Sequence, residues 1–216
     1  MVSQGSDRAI FFIGGNNWYH SLRKIGLDNI GQLNYARVCE KLAGPRTWDA
    51  TRYYIPHIGV MGSPRLLAEQ RNFLAQLQEQ DPRKSVHFGR LEPRASESAA
   101  ARELLRYLGE LKVRIPTQVF RDLVSLGRAY AHTRVFVEKA VDVHIAVDMV
   151  SLAASDDYDS AYLLSADGDF TPAVDAVRKW GRRVFAVSPA PGAKLGAAVD
   201  SYVRLKREWF DGCFRR

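Results

Sequence analysis

The segment from Ala9 to Ile13 reads AIFFI, an apolar run with no polar position, and it stops at Gly14-Gly15. Five residues are too few for a buried helix, and a strand with one wet face would alternate apolar with polar side chains. The run therefore predicts a strand covered on both faces, as at the centre of a parallel sheet with helices above and below. Ala161–Leu164 and Arg183–Val187 repeat this buried character later in the chain.

Helical spacing fills the intervals. Trp18, Tyr19, Leu22 and Ile25 fall on one helical period before Gly26, residues 32–42 form a second short helical segment, and a third spans Arg65 to Gln78. Thr51–Ile55 reads as a strand stopped by Pro56, and Val86–Phe88 as another. From Arg94 to Arg134 two helical patterns succeed one another, the second opening near Pro116, with too few apolar positions to fill a core of their own. An amphipathic helix is expected over Ala140–Ala154, a helix over Thr171–Trp180 and a short one over Lys194–Val199, with Val203–Arg216 as an edge or tail. Strands alternating with helices predict one α/β domain over residues 1–216, a three-layer α/β/α arrangement with a mostly parallel sheet and a helical insertion or cap at 94–134.

A chain of 216 residues with 46% hydrophobic and 25% charged side chains has the composition of a folded domain and excludes a disordered or collagen-like chain. Two cysteines, Cys39 and Cys213, are too few for a disulfide framework, and no apolar run approaches the roughly 20 residues of a membrane span. A cytoplasmic setting without a membrane anchor is the expectation. Charge is unevenly placed: residues 135–177 hold 1 basic and 9 acidic side chains, while residues 81–134 hold 11 and 6 and residues 178–216 hold 10 and 3. A basic chain with one acidic block suits a polyanion held against a cation-binding centre, and a solvated acidic helix face accounts for the same pattern.

The sharpest local signal is Ser165-Ala166-Asp167-Gly168-Asp169-Phe170, between an apolar strand and a helix. In parallel sheets ligands gather beyond the carboxyl ends of strands. Asp167 and Asp169 supply hard oxygens there and form a candidate metal pair; helix capping by Asp169 is the plain alternative. Asp142 opens the helix near Ala140, as a ligand or as a charge favoured by the helix dipole. Asp148, six residues on, lies about 120° around the helix and stands at the margin of such a site or on its surface. After the first strand, Asn16 offers a polar partner to a carboxylate or phosphate, or a helix cap. The five histidines are scattered, and the chain carries no P-loop, GxSxG, HExxH or Cys/His ligand spacing.

The stretches FFIGGNNWYHSLRKIG, RYYIPHIG, EKAVDVHIAVDMV and AYLLSADGDFTPAVDAVRKWGRRVFAV together resemble the NYN domains of the PIN-like nuclease superfamily, especially the LabA-like branch. The resemblance spans roughly residues 8–205 and is poor over 94–134. It implies a PIN-like fold whose acidic cluster binds Mg2+ or Mn2+ and hydrolyses RNA, with Asp142, Asp167 and Asp169 as metal ligands, Asp148 at the margin and Asn16 as polar partner. The family pattern IDGxN departs here to Ile13-Gly14-Gly15-Asn16, so the first-strand carboxylate is missing.

The expected function is thus a metal-dependent endoribonuclease acting on single-stranded or unpaired RNA, weakened at Gly14. A noncatalytic RNA-binding or regulatory domain is the alternative, and a metal-dependent DNA nuclease or phosphatase a third reading. Arg65, Arg71, Arg178, Lys179, Arg182 and Arg183 are the candidate substrate-binding cations, with Tyr19 or Trp180 as stacking platforms. RNA is the expected partner, DNA the second; no membrane is expected, and a homo-oligomer is left open.

Overall fold

The computed structural model describes residues 7–58, 64–97, 99–112 and 114–215. It falls into two compact units, one of residues up to Arg90 together with Lys139 onward, the other Leu91–Glu138.

In the larger unit, β1 (Arg8–Gly14) lies between β2 (Thr47–His57) and β5 (Ser160–Leu164), paired parallel to both. β3 (Lys84–Glu97) extends the sheet beyond β2, and β6 (Arg183–Ser188) and β7 (Ser201–Arg204) extend it beyond β5, again parallel. The period of two along β1 divides its side chains between two cores. Phe11 and Ile13 pack with Trp18, Leu22, Val38, Tyr53 and Tyr162. Ile10 and Phe12 pack with Ile145, Met149, Tyr158, Val174 and Val177. The first core is covered by α1 (Gly15–Lys24), α2 (Tyr35–Ala43) and α3 (Pro64–Gln80), the second by α6 (Val141–Ala154) and α7 (Thr171–Lys179). The result is a three-layer α/β/α arrangement around a mostly parallel sheet.

The smaller unit carries the continuation of β3, then α4 (Ala99–Leu111), α5 (Thr117–Ala131) and most of β4 (His132–Lys139), with β4 next to β3 in strand order. Residues 94–134, read from the sequence as an insertion, fall inside it apart from positions 98 and 113, which lie outside the described residues.

Several expectations change. Pro56 does not stop β2 but sits within it, opposite Gly89 of β3. The ladder to β1 ends at Gly14 opposite Tyr54, so beyond that point no strand among the described residues pairs with β2 on that side, and a residue without an N–H is tolerated. β4 was not foreseen, although Val135-Phe136-Val137 is strand-favouring. The helix expected to be amphipathic, α6, exposes Val143 and Val147 while burying Ile145 and Met149. The C-terminal segment is no tail: after β7 it returns across α2, burying Phe210 and Cys213, and Phe214 bridges to Leu33.

The entrance to α6 is strained. Ala140, its N-cap, sits in the left-handed region at φ 72° and ψ −7°. A side chain pays sterically in that region where glycine does not. Gly89 makes room for the same turn, since a Cβ there would fall 2.5 Å from Val141 Cγ2 and 2.9 Å from the Lys139 carbonyl oxygen. Ala140→Gly should therefore raise stability by about 1 kcal/mol, read from denaturant unfolding; an unchanged or lower midpoint contradicts the strain.

Candidate active site

The acidic residues of interest stand where chain direction puts them, beyond the carboxyl ends of β1 and β5 and at the start of α6. After β5 the chain turns at buried Ser165 into a short 3-10 helix, Gly168–Phe170. The Ser165 hydroxyl oxygen accepts from the Asp167 backbone N–H at 3.1 Å and from Asn17 Nδ2 at 3.4 Å. Asn17 Oδ1 in turn accepts from Ser21 Oγ at 3.5 Å. One oxygen thus ties the start of α1 to the acidic loop.

Asp167 is the cap here, not Asp169: its Oδ1 accepts from the Asp169 N–H at 2.9 Å. Asp169 turns outward, 91% exposed, with Lys194 Nζ at 3.9 Å from its Oδ1. Lys194 belongs to the short helix α8 (Ala193–Ala198), and its stem lies on Gly168, where a Cβ would come within 2.6 Å of Lys194 Cδ.

Asp142 lies in the first turn of α6 and is exposed by surface area, yet its carboxyl pKa is raised. Partial desolvation is the larger cause, followed by repulsion from Asp167 and Asp169. Asp167 and Asp169 therefore act on Asp142 through their charge. Asp148 is not among them: its Oδ2 accepts from Tyr54 Oη at 2.7 Å and pairs with Arg52 at 3.0 Å, and Tyr54 stacks on His87. That clamp holds α6 to β2. Burial and then Arg52 lower the His87 pKa, while Asp148 opposes them.

Gly14 and Gly15 differ in what they permit. A Cβ on Gly15 would fall 2.6 Å from Ile55 Cγ2, so the start of α1 packs against β2 too closely for any side chain. A Cβ on Gly14 would meet only Ile145 Cδ1, at 3.3 Å. Ile145 lies three residues after Asp142, on the same helical face, so a side chain at position 14 would project toward the layer that carries Asp142.

The asparagine expected at the site is displaced by one. Asn16 is exposed and lines a separate cavity, whereas Asn17 makes the contact with the acidic loop. Neither caps α1, whose N-cap is Gly14. Four of the candidate cations lie at the other end of the sheet. Arg182 pairs with Asp159 and Asp156, Arg183 with Asp7, and Arg178 with Asp200, all around the amino ends of β1, β5 and β6 or the turn before β7. Lys179 and Trp180 close α7 beside them, exposed. Arg65 and Arg71 remain on α3, exposed, with Arg65 paired to Glu69 at 2.8 Å. Ser165, Asn17 and Lys194 were given no role from the sequence, although Ser165 opens the SADGDF stretch and the asparagine of the IDGxN pattern falls at position 17 here.

Residues 8–206 match the NYN domain family. The chain belongs to that family. Its fold is one generally linked to nuclease activity. The NYN chain is also similar to the crystal structure of a protein of unknown function from Vibrio parahaemolyticus RIMD 2210633, at 16% identity and a TM-score of 0.58 over 96% of this chain and 98% of that one, a likeness of fold. No curated protein matches the chain in sequence. Among the described residues no helix is long and apolar enough to cross a membrane.

The family implies a divalent ion, and the residues in place do not fit one as a resident ligand. Among the described residues no three His, Cys, Asp or Glu side chains converge closely enough to hold a metal. Asp167 spends an oxygen on its own loop, Asp169 faces solvent, and position 14 brings no carboxylate.

Two expectations follow from this geometry. Because the folded chain raises the Asp142 pKa, ionising it costs stability, a cost absent below the ordinary carboxylate pKa and complete above the raised one. Asp142→Asn should then raise Tm at neutral pH, with the gain fading as pH falls toward about 4 and absent below it; thermal unfolding across pH measures it, and a loss of Tm at neutral pH contradicts it. Arg182→Ala and Arg183→Ala should each lower stability by about 1 kcal/mol or less and leave nucleic-acid affinity unchanged in fluorescence anisotropy. A weakened affinity would return these arginines to the binding surface.

Proposed function

We propose that this NYN chain, of the LabA-like branch, handles single-stranded or unpaired RNA as a phosphodiesterase whose hydrolytic centre is incomplete at Gly14. The observation that carries the reading is the direction of position 14: a Cβ on Gly14, the last residue of β1, would meet Ile145 of α6, the helix that carries Asp142, and only hydrogen stands there, where the family pattern has a carboxylate. Asp142, Asp167 and Asp169 are hard oxygen donors on this side of the sheet, and without a carboxylate at position 14 they do not converge on an ion. Their mutual repulsion, expressed in the raised Asp142 pKa, also means that a phosphate approaches only with a counter-cation.

The chain's own residues hold this arrangement in place. Ser165 and Asn17 position Asp167, and Lys194 offers a cation beside Asp169 that can meet a phosphate oxygen. Arg71 on α3 and Lys194 replace the arginines at the far end of the sheet as the basic candidates. The absence of a converged three-ligand set among the described residues favours, as the second reading, an RNA-binding domain that no longer cleaves.

Gly14→Asp separates the two. Manganese-dependent cleavage of labelled single-stranded RNA should rise at least about tenfold, or roughly 1.4 kcal/mol of transition-state stabilisation, with DNA of the same sequence and a chelator as controls. Equal rates in comparably folded proteins leave the noncatalytic reading.

A further inference from the structure

Asn16 faces a cavity of about 530 Å3 whose described lining belongs wholly to the larger unit. That volume lies within the roughly 300–1,000 Å3 of small-ligand sites. Its walls come from α1, α3, the carboxyl end of β2 and the short 3-10 helix Ile30–Gln32. Tyr19, Tyr35 and Phe73 give it aromatic surface, and Tyr19 is 41% exposed. Asn16, Asn72 and Gln76 bring amide groups.

Charge narrows what fits. Glu69 is the one charged residue in the described lining, and its carboxylate is paired with Arg65. The described lining therefore includes no cation for a phosphate or an acidic side chain. A flat, neutral, hydrogen-bonding ring suits it: aromatic faces stack on it, and amides both donate to and accept from its edge. The cavity also adjoins the acidic centre through consecutive residues, since Asn16 lines it and Asn17 donates to the Ser165 oxygen that holds Asp167. Of the parts of an RNA strand, only a base is both planar and uncharged.

We propose that this cavity seats one unpaired nucleobase of a strand whose neighbouring phosphate lies at the acidic centre, a site that rests on the RNA reading above. The site explains why single-stranded RNA would be selected, because a paired base cannot turn out of its stack without cost. Gly31 provides a clean plug: it lines the cavity, and a Cβ there meets nothing within 4 Å.

The test uses fluorescence anisotropy of the full chain with calcium as counter-cation. The probes are a short single-stranded RNA and an abasic ribose-phosphate strand of the same length. Gly31→Phe and, at an exposed position, Tyr19→Ala should each weaken RNA binding at least about fivefold, while the abasic strand binds all three proteins alike. Equal RNA binding by the wild type and both variants overturns the cavity site and leaves the RNA reading standing. If the folded wild type binds no RNA, nucleoside monophosphates decide by NMR. Shifts of the Tyr19 ring with these but not with ribose 5-phosphate keep the base site and overturn the RNA reading, and no shifts overturn both.

Discussion

Burial of β1 on both faces is the constraint from which the rest of this NYN domain is built. A strand with no polar face needs a neighbour on each edge and a helical layer on each side, and AIFFI has all four. The aromatic row Phe11, Tyr162 and Phe185 runs across β1, β5 and β6 in register, with stacked rings 4.6 and 5.0 Å apart and the Arg46 guanidinium over the last of them. A fully buried ring such as that of Phe11 contributes about 1.5–3 kcal/mol. Parallel pairing then positions the candidate site, because it gathers the loops after β1 and β5 at one end, and there Asp167 and Asp169 stand beside the start of α6.

At that end several local features cost stability. Asp142 is held close enough to Asp167 and Asp169 for their charges to raise its pKa, and α6, which carries it, begins with an alanine in a conformation suited to glycine. Backbone strain and clustered like charge thus meet at one locus, the kind of place on which the proposed function rests. Around it the supports are conventional: one hydroxyl oxygen joins α1 to the acidic loop, and a tyrosine and an arginine fix Asp148 away from the group.

The sequence disclosed much of this architecture for plain reasons. Short apolar runs betrayed β1, β5 and β6, and SADGDF, lying between a buried strand and a helix, marked the acidic loop. What stayed hidden depended on partners far away in sequence. Pro56 reads as a stop unless one knows that β1 ends opposite Tyr54. Asp148 looks like a site residue until Tyr54 and Arg52, more than 90 positions earlier, are seen to hold it. For Arg182 and Arg183 chain direction held a clue: they stand at the start of β6, whereas Asp167 follows β5, and in a parallel sheet these are opposite ends. Asn16 and Asn17 could be told apart only by where α1 turns them.

The ion pairs at the amino ends of the strands join distant parts of the chain: Arg8 meets Asp156 and Asp159, and Asp7 meets Arg183. The pairing of β1 with β5 spans the same interval, about 150 residues. The strand that organises the molecule is made well before its second neighbour, which follows about 150 residues later. Contacts of such long range fold slowly. A ribosome-bound intermediate therefore presents an apolar AIFFI edge with one side unpaired, and the α4–α5 hairpin, whose contacts are local, can form while that edge waits.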